Sequence, residues 1–149
     1  MNLRQLTRKD AVSVAPSTSV RDVARLMDEG VVGAVVVVDD GRPIGIVTDR
    51  DLVVRSMARG LPLDGRVDSV MTFDPVVAEA VDPPNQAVRL FERYAVRRLP
   101  LVAAGQLVGL LGVDDLLVNT VADLAAVVRP ITGQVIFGHP EPHDTLVEQ

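Results

Sequence analysis

The 149-residue chain is predicted to fold as an α/β (α+β) protein built from two tandem β-α-β-β-α units. Three observations predict this. The first is an internal repeat. Residues 45–52 read Gly-Ile-Val-Thr-Asp-Arg-Asp-Leu and residues 109–116 read Gly-Leu-Leu-Gly-Val-Asp-Asp-Leu, an offset of 64 (109 − 45). It continues without gaps, placing Arg25 on Arg89, Val32 on Val96, Val38 on Val102 and Gly41 on Gly105. A repeat of this length marks two supersecondary units that share a core. The second is the alternation, in each copy, of β-branched runs with stretches of helical apolar spacing. The third is that turn residues recur at matching points, Asp40-Gly41 and Ala104-Gly105.

In the first unit, residues 12–14 read as a short extended segment closed by Pro16, Ser17 and Thr18. Residues 19–29 have helical spacing, with Val20, Val23, Ala24 and Met27 on one stripe, and Gly30 serves as the stop. Residues 35–38 are four consecutive valines, a strand buried on both faces. Asp40-Gly41 is a hairpin signal, residues 44–47 return as a strand, and residues 49–59 read as a helix ending at Gly60. Pro62 and Gly65 mark residues 61–69 as a connector.

The second unit repeats the order: strand 76–78, helix 85–94 after Pro83-Pro84, strands 99–102 and 107–111, and a helix 113–128 stopped by Arg129-Pro130. The organisation expected is repeat 1 over residues 1–60, connector 61–69, repeat 2 over 70–128 and a tail over 129–149. The apolar run Val135-Ile136-Phe137 reads as a docked tail or an edge strand.

Composition narrows the function. The chain is 48% hydrophobic but only 3% aromatic, so its core must be aliphatic. With no cysteine, disulfides, thiolate catalysis and cysteine-bound zinc are excluded. Residues 1–10 carry no apolar run and no stretch reaches the length needed to span a bilayer, so a soluble, cytoplasmic protein is expected. A net charge of −5 opposes non-specific binding to nucleic acid. His139 and His143 are four apart, but Pro140 and Pro142 break the helix that a metal pair at this spacing needs, and no metal is expected. Asp39-Asp40-Gly41 is hairpin chemistry rather than a magnesium cluster. No Gly-x-Ser-x-Gly and no phosphate loop with lysine is present, so enzymatic activity is not expected.

The informative residues are those where the copies differ. Thr48 and Asp51 stand at i and i+3 where a strand becomes a helix. A helix start favours an anion, the hydroxyl can bond phosphate or ribose, and the carboxylate can accept from two adjacent ribose hydroxyls. The same spacing also makes a capping box, in which the two side chains bond only the local backbone. Copy two has Gly112 and Asp115 at these positions. Conversely, Arg97-Arg98 stands before a buried strand where copy one has Gly33-Ala34. The pair is explained by a ligand anion, by a solvated strand end, or by ion pairs to Glu92 or Asp114.

These residues together resemble the paired cystathionine-β-synthase (CBS) domains, or Bateman modules, over roughly residues 6–121. The likeness rests on the duplicated order, on Gly-Ile-Val-Thr-Asp-Arg-Asp-Leu, and on Arg-Arg-Leu-Pro-Leu-Val from Arg97. The resemblance implies two copies packed through their sheets about a pseudo-twofold axis, with two clefts between them. It implies an adenosine derivative as ligand (AMP, ADP, ATP or S-adenosylmethionine) and no obligatory cofactor. Thr48 and Asp51 would hold phosphate and ribose, Arg97, Arg98 and the motif's Arg50 the anion, and Val14, Pro16, Val35 and Val37 the adenine. A second cleft at Gly112 and Asp115 is expected to be degenerate. The Val20-Val23-Met27 and Ala87-Val88-Phe91 stripes are core or interface faces; such modules also pair into homodimers through helices of this kind, and the last helix would contribute. The function expected is a stand-alone regulatory sensor, acting through a homodimer and a regulated protein partner. The alternative is a ligand-free dimerisation scaffold in which Thr48 and Asp51 only cap a helix.

Overall fold

A computed structural model describes residues 1–136, with side chains to residue 130. The chain divides into two units, Met1–Leu116 and Leu117–Gln149. The first opens with a short helix α1 (Leu3–Leu6), closed into a capping box by Asn2 and Gln5. Strand β1 (Ser13–Val14) follows, then helix α2 (Val20–Gly30), whose first turn is fixed by the Ser19 hydroxyl accepting from the Asp22 N–H. Val20, Val23 and Met27 of α2 are buried, as the helical spacing requires.

The valine run becomes β2 (Ala34–Asp39). Asp40 and Gly41 take φ of 50° and 75°, the left-handed pair of a two-residue hairpin, and β3 (Arg42–Thr48) returns antiparallel. Helix α3 (Asp49–Asp51) leads directly into a π-helical stretch, Leu52–Met57. After a 3₁₀ turn (Val67–Ser69), β4 (Thr72–Phe73) pairs with β3, giving a four-stranded sheet in the order β1-β2-β3-β4.

The second repeat contributes β5 (Ala78–Glu79), α4 (Pro84–Tyr94), β6 (Arg98–Ala103) and β7 (Gln106–Gly112), in a sheet ordered β5-β6-β7. Its registers copy the first: Arg98↔Gly112 stands where Ala34↔Thr48 does, and both hairpins carry a register shift at the same point. The hairpins meet at their tips, where the Leu107 N–H donates to the Gly41 carbonyl at 2.9 Å. The β-α-β-β-α order expected from the repeat is the order observed.

The two cores exchange their leading segments. Leu3 and Leu6 of α1 lie in the core of the second repeat, with Leu99, Leu101, Leu111 and Phe91. Val67 and Val70, 64 residues further on in each case (67 − 3; 70 − 6), lie in the core of the first, with Val23, Val35 and Val37. The Leu3 and Arg4 N–H groups bond the Asp82 and Ala80 carbonyls at 3.0 and 3.1 Å, so the crossing arm is stitched as well as packed. Each repeat is therefore completed by the chain that precedes the other repeat's first strand.

Two helix ends differ from the sequence reading. Helix α2 continues through Gly30, and the left-handed residue is Val31 (φ 50°). A second helix, α5 (Val113–Ile136), runs through Pro130 instead of stopping at Arg129. A proline inside a helix leaves the carbonyl four residues earlier without its partner; there that carbonyl belongs to exposed Ala126, which water can reach. Val135 and Ile136 are consequently helical and not an edge strand, while Phe137, His139 and His143 lie outside the described residues. Among the described residues no helix is long and apolar enough to cross a membrane.

Candidate functional site

The first motif folds as a closed capping box. The Thr48 hydroxyl accepts from the Asp51 N–H at 3.2 Å, and Asp51 Oδ2 accepts from the Thr48 N–H at 2.9 Å. Asp51 Oδ1 lies 3.7 Å from Arg55 Nε, and Arg55 Nη1 donates to the Val70 carbonyl at 3.1 Å and the Thr72 hydroxyl at 3.3 Å. The motif thereby ties the helix after β3 to the connector that leads into β4. Arg50 is exposed, its N–H bonded to Asp49 Oδ1 at 2.8 Å.

The second motif is more open. Asp115 Oδ2 accepts from the Gly112 N–H at 2.8 Å, the same cap in a buried setting. Its Oδ1 accepts from Arg8 Nε at 3.0 Å, and Arg8 Nη2 reaches Asp114 Oδ2 at 3.4 Å. Asp114 Oδ1 takes Arg98 Nη1 at 2.9 Å. Register explains the last contact. Arg98 faces Gly112 across the hairpin, and a Cβ at Gly112 would collide with Asp114 Oδ1 and lie 2.6 Å from Arg98 Nη1. Glycine here is thus more than a lost hydroxyl: it makes the space that this ion pair occupies.

A cavity of about 430 Å³ opens beside this cluster. One wall is Arg98, Leu110, Gly112, Asp114 and Asp115 from repeat 2. The other is Arg8, Lys9, Asp10 and Val12 from the arm before β1, with residues 31–34 at the start of β2. Lys9 Nζ is held by the Val31 carbonyl at 3.1 Å. Of the residues expected to bind ligand, Arg98 lines this space, together with Gly112 and Asp115 of the cleft that the sequence reads as degenerate. Thr48, Arg50, Asp51, Arg97 and Pro16 do not. Arg97 is exposed, with its carbonyl accepting from the Val113 N–H at 3.1 Å. Val14, Val35 and Val37 are also elsewhere, inside the first core. The period of two in a strand accounts for this: Val35 and Val37 share the face packed under α2, while Ala34 stands on the other face and joins the cavity wall with Val12 and Val32. Sequence reasoning missed Arg8, Lys9 and Val12, which belong to no local motif.

The offset of 64 carries this cavity onto the other expected site. Gly112 and Asp115 map to Thr48 and Asp51 (112 − 64; 115 − 64), Asp114 to Arg50, and Gly33 and Ala34 to Arg97 and Arg98. The two corners are equivalent places in the repeat with different charges.

Chemically the cavity offers a buried carboxylate for a diol, three cations and an aliphatic wall for a flat apolar ring. The positive end of α5 starts at Val113. Two backbone donors there, on Gly112 and Val113, are already bonded, so an incoming anion would turn to Arg8, Lys9 and Arg98. The Arg66 guanidinium, hydrogen-bonded to Asp68, holds that carboxyl below its usual range, and both belong to the connector region. Among the described residues no group of three His, Cys, Asp or Glu is placed to hold a metal.

Comparison with known proteins agrees with this architecture. The CBS domain family matches twice, over residues 3–57 and 67–120. The chain is 33% identical over 114 residues to the CBS domain-containing protein YhcV of Bacillus subtilis, covering 76% of this chain and 81% of that one. Its fold is similar to that of the CBS domain protein PAE2072 from Pyrobaculum aerophilum complexed with AMP, with a TM-score of 0.71 and 28% identity, covering 78% of this chain and 90% of the other. It is likewise similar to CBSX2 in complex with AMP, with a TM-score of 0.68 and 28% identity over 81% of this chain and 96% of that one. With the family matched on both copies of the repeat, this chain belongs to the CBS-domain family and carries the domain as a tandem pair.

Proposed function

We propose that this chain is a regulatory module that binds an adenosine derivative in the cavity between Asp115, Arg98 and the arm carrying Arg8 and Lys9. The carrying observation is the convergence on one cavity of a buried carboxylate, three cations and an aliphatic wall. Support comes from the AMP held by two structures of the same fold. Asp115 would accept from the ribose hydroxyls, Val12, Val32 and Ala34 would flank the base, and the cations would meet the phosphate. Regulation would follow from differential affinity: a ligand touching both repeats favours one arrangement of them, and a partner reads that arrangement. The role is binding, not catalysis.

A second reading, favoured by the extra cations Arg50 and Arg97, adds the equivalent corner at Thr48 and Asp51 as a further nucleotide cleft. A homodimer is part of the proposal. Of the two stripes Val20, Val23, Met27, Ala87 and Phe91 are buried in the cores and Val88 is exposed, so the faces that remain for pairing include Val53, Val54 and Met57, all exposed, and Leu117, Val118 and Val121 at the same repeat positions. Native mass spectrometry of the purified chain reads retained nucleotide and oligomer size together. The proposal expects a dimer and, with added AMP, a mass increase of one nucleotide per chain. A thermal-shift panel of AMP, ADP, ATP, S-adenosylmethionine and NAD gives the same test by mass action. No shift from any of them at millimolar concentration would leave the scaffold reading instead.

A further inference from the structure

We propose that Arg8 is a specificity-determining residue, which makes the Asp115 cavity demand a ligand that carries both a vicinal diol and an anionic group. The inference rests on the nucleoside reading above. In the structure Arg8 occupies the carboxylate that the diol needs, with its Nε on Asp115 Oδ1 at 3.0 Å. That carboxylate is only 12% exposed, whereas the Arg8 side chain is 51% exposed, so the guanidinium is at the mouth of the cavity and the acid is at its floor. With Oδ2 held by the Gly112 N–H, a diol that takes Oδ1 competes with Arg8 for it.

What happens to the displaced guanidinium decides the selectivity. The backbone that carries it cannot retreat far, because α1 is anchored by Leu3 and Leu6 in the second core. Arg8 therefore stays within reach of the cavity after leaving Asp115. A neutral nucleoside breaks the pair and supplies no replacement. A nucleotide breaks the same pair and offers its phosphate to the released guanidinium, which binds phosphate through planar, charge-assisted hydrogen bonds. A phosphate without a diol leaves Arg8 on Asp115. The contact thus works as an exchange of partners.

Calorimetry of the full chain and its Arg8→Ala variant, each with AMP and with adenosine, tests this. The wild type is expected to prefer AMP by at least tenfold, since a charge-assisted bond contributes on that order. In Arg8→Ala adenosine is expected to bind more tightly than to the wild type, because its competitor is gone, while AMP binds more weakly. The preference for AMP then falls at least tenfold. A merely structural Arg8 would weaken both ligands together and leave their ratio unchanged, and that result overturns the inference while the nucleoside reading stands. Binding of neither ligand to either protein, with the variant's melting temperature close to that of the wild type, overturns the nucleoside reading and the inference with it.

Discussion

Asp115→Ala is expected to weaken AMP binding by about tenfold to a hundredfold, the equivalent of the roughly 1.5–3 kcal/mol that a hydrogen bond to a charged group contributes. Asp51→Ala is expected to change it by no more than about twofold. The comparison is internally controlled, because both carboxylates cap the N–H three residues before them, at 2.8 and 2.9 Å. Loss of either cap should cost about 1 kcal/mol of stability. Any difference in AMP affinity then reports the cavity and not the fold. Isothermal calorimetry on both variants reads it. Equal losses, or a larger loss in Asp51→Ala, would move the ligand to the Thr48 corner.

Leu3→Ala is expected to give the largest loss of stability of any single change near the N-terminus, about 2–5 kcal/mol. Leu3 is fully buried although it is the third residue of the chain. It fills the core of the second repeat, more than seventy residues away in sequence, among Ala78, Leu99 and Leu111. Against the roughly 5–15 kcal/mol that stabilises an ordinary domain, this is a large fraction. Thermal denaturation should show a drop in melting temperature of several degrees or more. A change of less than a degree would mean that the arm only rests on the surface. It would also remove the anchor that keeps Arg8 beside Asp115.

The local grammar of this fold is legible in the sequence. The valine run and the Asp40-Gly41 turn each act over a few residues, the offset of 64 repeats them, and each is found as the sequence implies. The π-helical winding of Leu52–Met57 is not legible, and Pro130 passes through a helix because nothing packed there forbids it.

The site was legible only by half. The motif spacing singles out Arg98 as a ligand residue, but it reads Asp115 as part of a degenerate cleft and weighs Gly112 as a missing hydroxyl. Only the pairing of β6 with β7 reveals that the glycine makes room for Arg98 against Asp114. Arg8 carries no signal at all, since it meets Asp115 across 107 residues of chain. Val35 and Val37 lie away from the cavity for a reason of parity: a strand sends alternate side chains to opposite faces, and theirs is the face toward α2.

A crystal structure of the chain with AMP tests the central assignment most directly. The expected result is AMP in the cavity, its ribose hydroxyls on the Asp115 carboxylate and its phosphate among Arg8, Lys9 and Arg98, with Arg8 moved off Asp115. AMP seated instead at Thr48 and Asp51, with Arg8 still on Asp115, would contradict it.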